Sequence, residues 1–212
     1  MSPFASPDGR YFVFSTNKEG AWGIWRMNVD GSNLVRLTQG PLDNYPSVTE
    51  DGKWVIFTAL SDARPRIFKV SIDGGTPVPI TDHIAIAGIV SPDMKWVTFF
   101  YPESPDPSAP SNRIAIMPFE GGEIKSYTFV PGGTVPSRNQ WSSDSQSVFY
   151  TTTANNTSNI WSQPISGGPA KQVTDFKDNL ITGFAWSPDG KQLAATRGAL
   201  LRDAVLITDV KK

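Results

Sequence analysis

The chain has 212 residues, a formal net charge of −1 and no cysteine. That balance excludes a duplex nucleic-acid binder, which needs a basic stripe, and the missing cysteines exclude disulfides, thiolate catalysis and Cys-based zinc sites. A content of 39% hydrophobic and 11% aromatic residues suffices for a core, and 18 glycines with 18 prolines suit many short strands joined by turns.

Met1-Ser2-Pro3-Phe4 leads straight into a turn, Ser6-Pro7-Asp8-Gly9, with no basic and apolar leader. The same turn returns as Thr49-Glu50-Asp51-Gly52, Ser91-Pro92-Asp93-Met94, Ser142-Ser143-Asp144-Ser145 and Ser187-Pro188-Asp189-Gly190. Successive copies start 43, 42, 51 and 45 residues apart, and a period of about 20–50 residues marks a repeat architecture. After each turn comes an alternating run rich in β-branched and aromatic residues, which predicts a strand: Tyr11–Ser15, Trp54–Thr58, Trp96–Phe100, Val148–Thr151 and Leu193–Thr196.

A third strand is predicted 18 residues after the start of each turn, at Ile24, Ile67, Ile160 and Val205. In the third repeat it falls at Ile114, because the Pro-rich insertion Pro102–Pro110 lengthens the preceding hairpin. The third strands run into Asp30-Gly31, Asp73-Gly74-Gly75, Glu120-Gly121-Gly122 and Ser166-Gly167-Gly168, where glycine supplies the positive φ of a tight hairpin. Fourth strands follow at Leu34–Thr38, Val78–Thr81, Ile124–Thr128 and Lys171–Thr174; Pro79 places one of them at a sheet edge.

No stretch has apolar residues at sustained helical spacing, and no apolar run approaches the roughly 18 residues of a membrane helix. The reading is all-β: a β-propeller of four-stranded antiparallel blades, with about five blades present, expected as part of a ring of six or more, an unusual five-bladed ring being the alternative. Approximate blades are 1–41, 42–82, 83–131, 132–176 and 177–212, the last lacking its outer strand. Open blade faces and a free strand edge make self-association an expectation.

The Ser-Pro-Asp-Gly-Lys turn, the Ile-Trp strand and the Asp-Gly-Gly turn before a Leu-Thr ending resemble the TolB-type, WD-like β-propeller repeat over essentially the whole chain. The segment 196–211 is similar to the last blade of propellers that follow serine/threonine kinase domains in bacteria. These resemblances imply a bacterial, non-catalytic sensor or protein-interaction module with a protein or peptide partner and no cofactor. A periplasmic or other extracytoplasmic setting and a cytoplasmic one both fit, and no membrane or nucleic-acid partner is expected.

Chemistry-bearing residues are few. His83 is the one histidine, so a Ser-His-Asp triad has a single candidate base, and an exposed loop histidine is the plainer reading. Arg138, four residues before its turn, is in register with Tyr45, Ala87 and Gly183. With Asn139 and Gln140 it makes a polar lead-in, and together with Tyr45, His83, Asp178 and Asn179 it forms the candidate ligand mouth of the central channel. Calcium takes carboxylate and amide oxygens from scattered loops. A rival reading is therefore a calcium-dependent phosphoester or lactone hydrolase, with Asp43, Asn44, Asp82, Asn139 and Asp178 as ligands. The repeated Asp8, Asp51, Asp93, Asp144 and Asp189 are expected to bind backbone NH groups of their own turns. Trp25, Trp141, Trp161 and Trp186 are expected between blades, whereas Trp22 lies at a loop tip.

Overall fold

A computed structural model of the chain describes residues 3–101, 113–129, 139–187 and 190–199. The Pro-rich insertion, Arg138, Asp189 and the strand expected at Val205 lie outside the described residues. Those described contain no helix, and none therefore long and apolar enough to cross a membrane.

Four antiparallel sheets follow one another along the chain, each in sequential strand order. The first blade is β1 (Phe4–Ala5), β2 (Tyr11–Thr16), β3 (Gly23–Asn28) and β4 (Val35–Arg36). The second is β5 (Asn44–Val48), β6 (Trp54–Ser61), β7 (Arg64–Ser71) and β8 (Val78–Pro79). The third is β9 (Ile86–Val90), β10 (Trp96–Tyr101), β11 (Arg113–Pro118) and β12 (Ser126–Phe129). The fourth is β13 (Asn139–Trp141), β14 (Ser147–Ala154), β15 (Thr157–Pro164) and β16 (Lys171–Gln172), and β17 (Leu180–Trp186) pairs β18 (Leu193–Gly198) in the fifth. Pro79 does sit in an edge strand, where its missing NH costs no ladder bond.

The repeated turn works the same way in the first four blades. Ser6 Oγ donates to Asp8 Oδ1 at 2.6 Å and accepts from Tyr11 N at 2.9 Å, while Arg10 N donates to the same carboxylate oxygen at 3.1 Å. Thr49 with Asp51, Ser91 with Asp93 and Ser142 with Asp144 repeat these bonds. The Ser6 hydroxyl, the Arg10 backbone NH and the Arg10 guanidinium hold the Asp8 carboxyl down to about 2. At the turn's fourth residue φ is positive: 69° at Gly9, 70° at Gly52 and 66° at Gly190. Met94 (62°) and Ser145 (60°) keep that geometry without glycine, so hydroxyl and carboxylate dictate the turn more than the glycine does.

Blades stack through four apolar seams. Val13 and Ile24 meet Val48, Val55, Phe57 and Val70 in the first. Ile56 and Ile67 meet Val97, Phe99, Ala115 and Met117 in the second. Phe100, Ile114 and Ile116 meet Trp141, Val148 and Tyr150 in the third, and Ile160 meets Ile181 and Phe184 in the fourth. Among the described residues no apolar cluster joins the fifth blade to the first. Burial of this kind is worth about 25 cal/mol per Å² of apolar surface, and a lone blade, with both faces wet, would gain little of it.

The first two seams also carry a charged clasp. Arg26 lies over the Tyr11 ring, 4.6 Å from guanidinium carbon to centroid, and reaches Asp73 of the next blade at 3.8 Å. Lys69, in the equivalent place, lies over Trp54 and Phe119 and pairs with Glu120 at 3.5 Å. In the third seam Ile116 and Ile165 take these places. Trp25 is buried, but on the face turned away from the second blade, beneath Lys18 and Arg36, rather than in a seam between described blades.

Candidate functional site

The first strands of the blades lie side by side and are tied across the seams by polar bonds. Ser47 Oγ donates to the Gly88 carbonyl at 2.8 Å, and Gln140 Nε2 to the Phe184 carbonyl at 3.0 Å, two residues before the turn in each case. Ser15 Oγ donates to Asn44 Oδ1 at 2.7 Å, and Trp141 Nε1 to the Ile89 carbonyl at 2.9 Å. These bonds make the inner wall a stiff support for whatever stands on its rim.

That rim is the end where first strands begin and where hairpins between second and third strands turn. Three first strands are bulged there, β17 among them, where pairing steps from Ile181↔Arg197 to Gly183↔Thr196. In the other two it steps from Asn44↔Thr58 to Ser47↔Ile56, and from Ile86↔Phe100 to Ile89↔Thr98, each with one extra residue on the inner strand. The bulged residues Tyr45 and Ala87 have φ of 53° and 57°, a left-handed conformation that costs a non-glycine residue about 1 kcal/mol. Ala87 N is caught by Thr58 Oγ1 at 3.0 Å and Tyr45 N by Asn44 Oδ1 at 3.1 Å.

The bulge leaves the Tyr45 side chain 56% exposed. Leu42, 44% exposed, bridges to Trp22, whose carbonyl also accepts from Asp43 N at 3.4 Å. The backbone bridge thus brings Trp22 beside Leu42, three residues before Tyr45, on the rim between the first and second blades. Beneath them Asp43 is buried, with Oδ2 accepting from Gly40 N at 2.9 Å and Oδ1 without a partner. Sequence reasoning picked out Tyr45 and Trp22 but not Leu42, which reads as an ordinary apolar residue until the bridge to Trp22 places it.

The other candidates are distributed around the molecule. His83 stands beside Asp82, with Nε2 to Oδ1 at 3.6 Å, and edge-on to Tyr101. Both residues line an open cleft of about 480 Å³ with Ile80, Thr81, Gly122 and Glu123, between the outer part of the second blade and a turn of the third. Asp178 accepts from Arg197 Nη2 at 2.6 Å, and Asn179 (φ 60°) leads into β17. Gln140 is committed to its bond across the fourth seam, and Asn139 is buried, with neither amide atom paired. Asn44 is shared between Ser15 and Tyr45. Among the described residues no group of three or more His, Asp or Glu side chains is placed to hold a metal ion.

The four-stranded blades, the seams and the rim define a β-propeller. The chain shares its fold with TolB-type propellers: it superposes on a TolB candidate from Agrobacterium tumefaciens with a TM-score of 0.71 and 20% identity, over 93% of this chain and 69% of that one. For TolB from Acinetobacter baumannii the TM-score is 0.63 with 23% identity, over 76% of this chain and 40% of that one. A structure of a nidogen/laminin complex matches with a TM-score of 0.67 and 14% identity, over 90% of this chain and 70% of that one. An uncharacterized protein of Agrobacterium fabrum is 47% identical over 36 residues, which is 17% of this chain and 12% of that protein. The chain therefore spans less than half of the Acinetobacter TolB and about an eighth of the Agrobacterium fabrum protein. No family model matches the sequence.

Proposed function

We propose that this propeller is a non-catalytic binding module whose rim takes a protein or peptide. The observation that carries the reading is the exposed pair Leu42 and Tyr45 beside the half-buried Trp22, standing on a bulged and cross-linked inner wall. Binding energy at protein interfaces concentrates in a few anchors, Trp and Tyr prominent among them, and a stiff backbone beneath them lowers the cost of ordering the surface when a partner arrives. Structural likeness to TolB-type propellers, and to a propeller solved in a nidogen/laminin complex, is consistent with a protein partner. The kinase-like ending would make this module the sensing part of a larger bacterial protein.

A peptide library displayed on phage and panned against the full chain tests the reading. Selected peptides should bind the wild type, and Tyr45→Ala with Leu42→Ala should weaken them about tenfold or more. Selection unaffected by both substitutions would remove the rim from consideration. The same experiment in calcium and in EDTA addresses the hydrolase reading built on Asp43, Asn44, Asp82, Asn139 and Asp178. Binding or phosphoester turnover that appears only with calcium would favour it.

A further inference from the structure

The residue three before the turn points back into the seam with the preceding blade. At Gly88 an added Cβ would lie 2.8 Å from Ile67 Cγ2 and 3.3 Å from Ile56 Cγ2. At Phe184 the ring packs with Ile160 and Phe149. Ile56 and Phe149 both stand seven residues after the start of their turns, and Ile67 and Ile160 both eighteen after. One contact rule therefore holds in two independent seams, with apolar partners each time.

In the third seam the same rule brings Asn139 to Thr98. Thr98 stands on the face of β10 that carries Trp96 and Phe100 into this seam. Thr98 is 0% exposed and Asn139 is 1% exposed. Thr98 Oγ1, Asn139 Oδ1 and Asn139 Nδ2 are all buried without a hydrogen-bond partner. Two polar residues stand where the neighbouring seams have Ile56 with Gly88 and Phe149 with Phe184. An unpaired amide and hydroxyl in an apolar joint are each costly, and together they present a donor and acceptors to a common space.

We infer that the third seam holds bound water, bridging Thr98 Oγ1 to the carboxamide of Asn139. Water is the ligand because both residues are sealed from bulk solvent and it is the small molecule that can donate and accept at once. The site also has the two or more polar partners that an internal water needs. The third joint is thus wet at a position where the joints on either side are apolar.

The sign of single substitutions tests this. With bridging water, Thr98→Val and Asn139→Leu each strand the other partner and the water, so each lowers the urea midpoint, and the double variant recovers most of the loss. In a dry seam each single change removes an unpaired polar group, so both raise the midpoint, and that result overturns the inference. A crystal structure of the unaltered chain gives an independent reading. Solvent density within about 2.7–3.2 Å of Thr98 Oγ1 and of the Asn139 amide is expected. A direct Thr98–Asn139 hydrogen bond or an empty apolar gap there overturns it.

Discussion

In the turns of Asp8, Asp93 and Asp144 the carboxylate is bound to a hydroxyl and to a backbone NH, and its lowered pKa makes these turns sensitive to acid. Asp8 is held at about 2 against an ordinary 3.8 by Ser6, by Arg10 NH and by the Arg10 side chain. Asp144 is also lowered, by Ser142 and Gln146. At Asp93 burial pushes the carboxyl up, but the bonds from Ser91 and Lys95 outweigh it and the net direction is down. A carboxyl depressed in the folded state contributes stability above its unfolded pKa and loses it as pH falls through the folded one. The melting temperature is therefore expected to be level above about pH 5 and to drop between about pH 4 and 2. Asp144→Asn should flatten part of that drop, as read by circular dichroism melts across the range. At Gly88 the effect is steric: Gly88→Ala forces a Cβ against Ile67 and should cost about 1–3 kcal/mol in urea denaturation. A cost near zero would mean that the seam has slack.

Between strands, the clasp at the second seam allows two contributions to be separated. Lys69 is nearly buried over Trp54 and Phe119, whereas the Glu120 side chain with which it pairs is 83% exposed. Solvent screens the ion pair to a few tenths of a kcal/mol, while ring contact and the buried stem are worth about 1–2 kcal/mol. Lys69→Ala should thus destabilise clearly more than Glu120→Gln, and a double-mutant cycle should give a coupling below about 0.5 kcal/mol. Equal losses from the two single changes would assign the clasp to the ion pair instead. The blades themselves were legible in the sequence because hydroxyl, carboxylate and turn recur wherever a first strand meets a second, even after Met94 and Ser145 replaced glycine. The seams were not. Thr98 and Asn139 lie 41 residues apart, and nothing local to either says that they face one another. Asn139 accordingly reads as a polar lead-in residue of a ligand mouth, although the fold turns it into a joint. Trp25 reads as a seam residue by its register with Trp161, yet its blade has no described neighbour on that side.

At the scale of the molecule, the face of the first blade turned away from the second bears on how this chain behaves in solution. Phe14 and Trp25 pair across β2 and β3, and because Val13 and Ile24 fill the first seam, these two point the other way. Lys18 and Arg36 lie over the Trp25 ring at 4.5 and 5.8 Å and cover part of that face, leaving Phe14 half-buried. In the first two seams an acidic turn residue, Asp73 or Glu120, receives a cation from the preceding blade. Asp30 holds the same place in the first blade, bonded through Oδ1 to Ser32 N and Oγ. This face of the first blade is therefore built on the pattern of a seam, with aromatic surface beside an acidic turn. Blade faces of this pattern are buried everywhere else in the described arc, so association through this face is the expected outcome. Light scattering on the purified chain should give more than one chain per particle at micromolar concentration, independent of calcium and EDTA. Phe14→Glu should return it to one chain with the fold intact by circular dichroism, since the new carboxylate would stand beside Trp25 on a face that can no longer be dried. Wild-type particles of a single chain would show that Lys18 and Arg36 cover the aromatic surface well enough to end the stack, as polar caps do in repeat proteins.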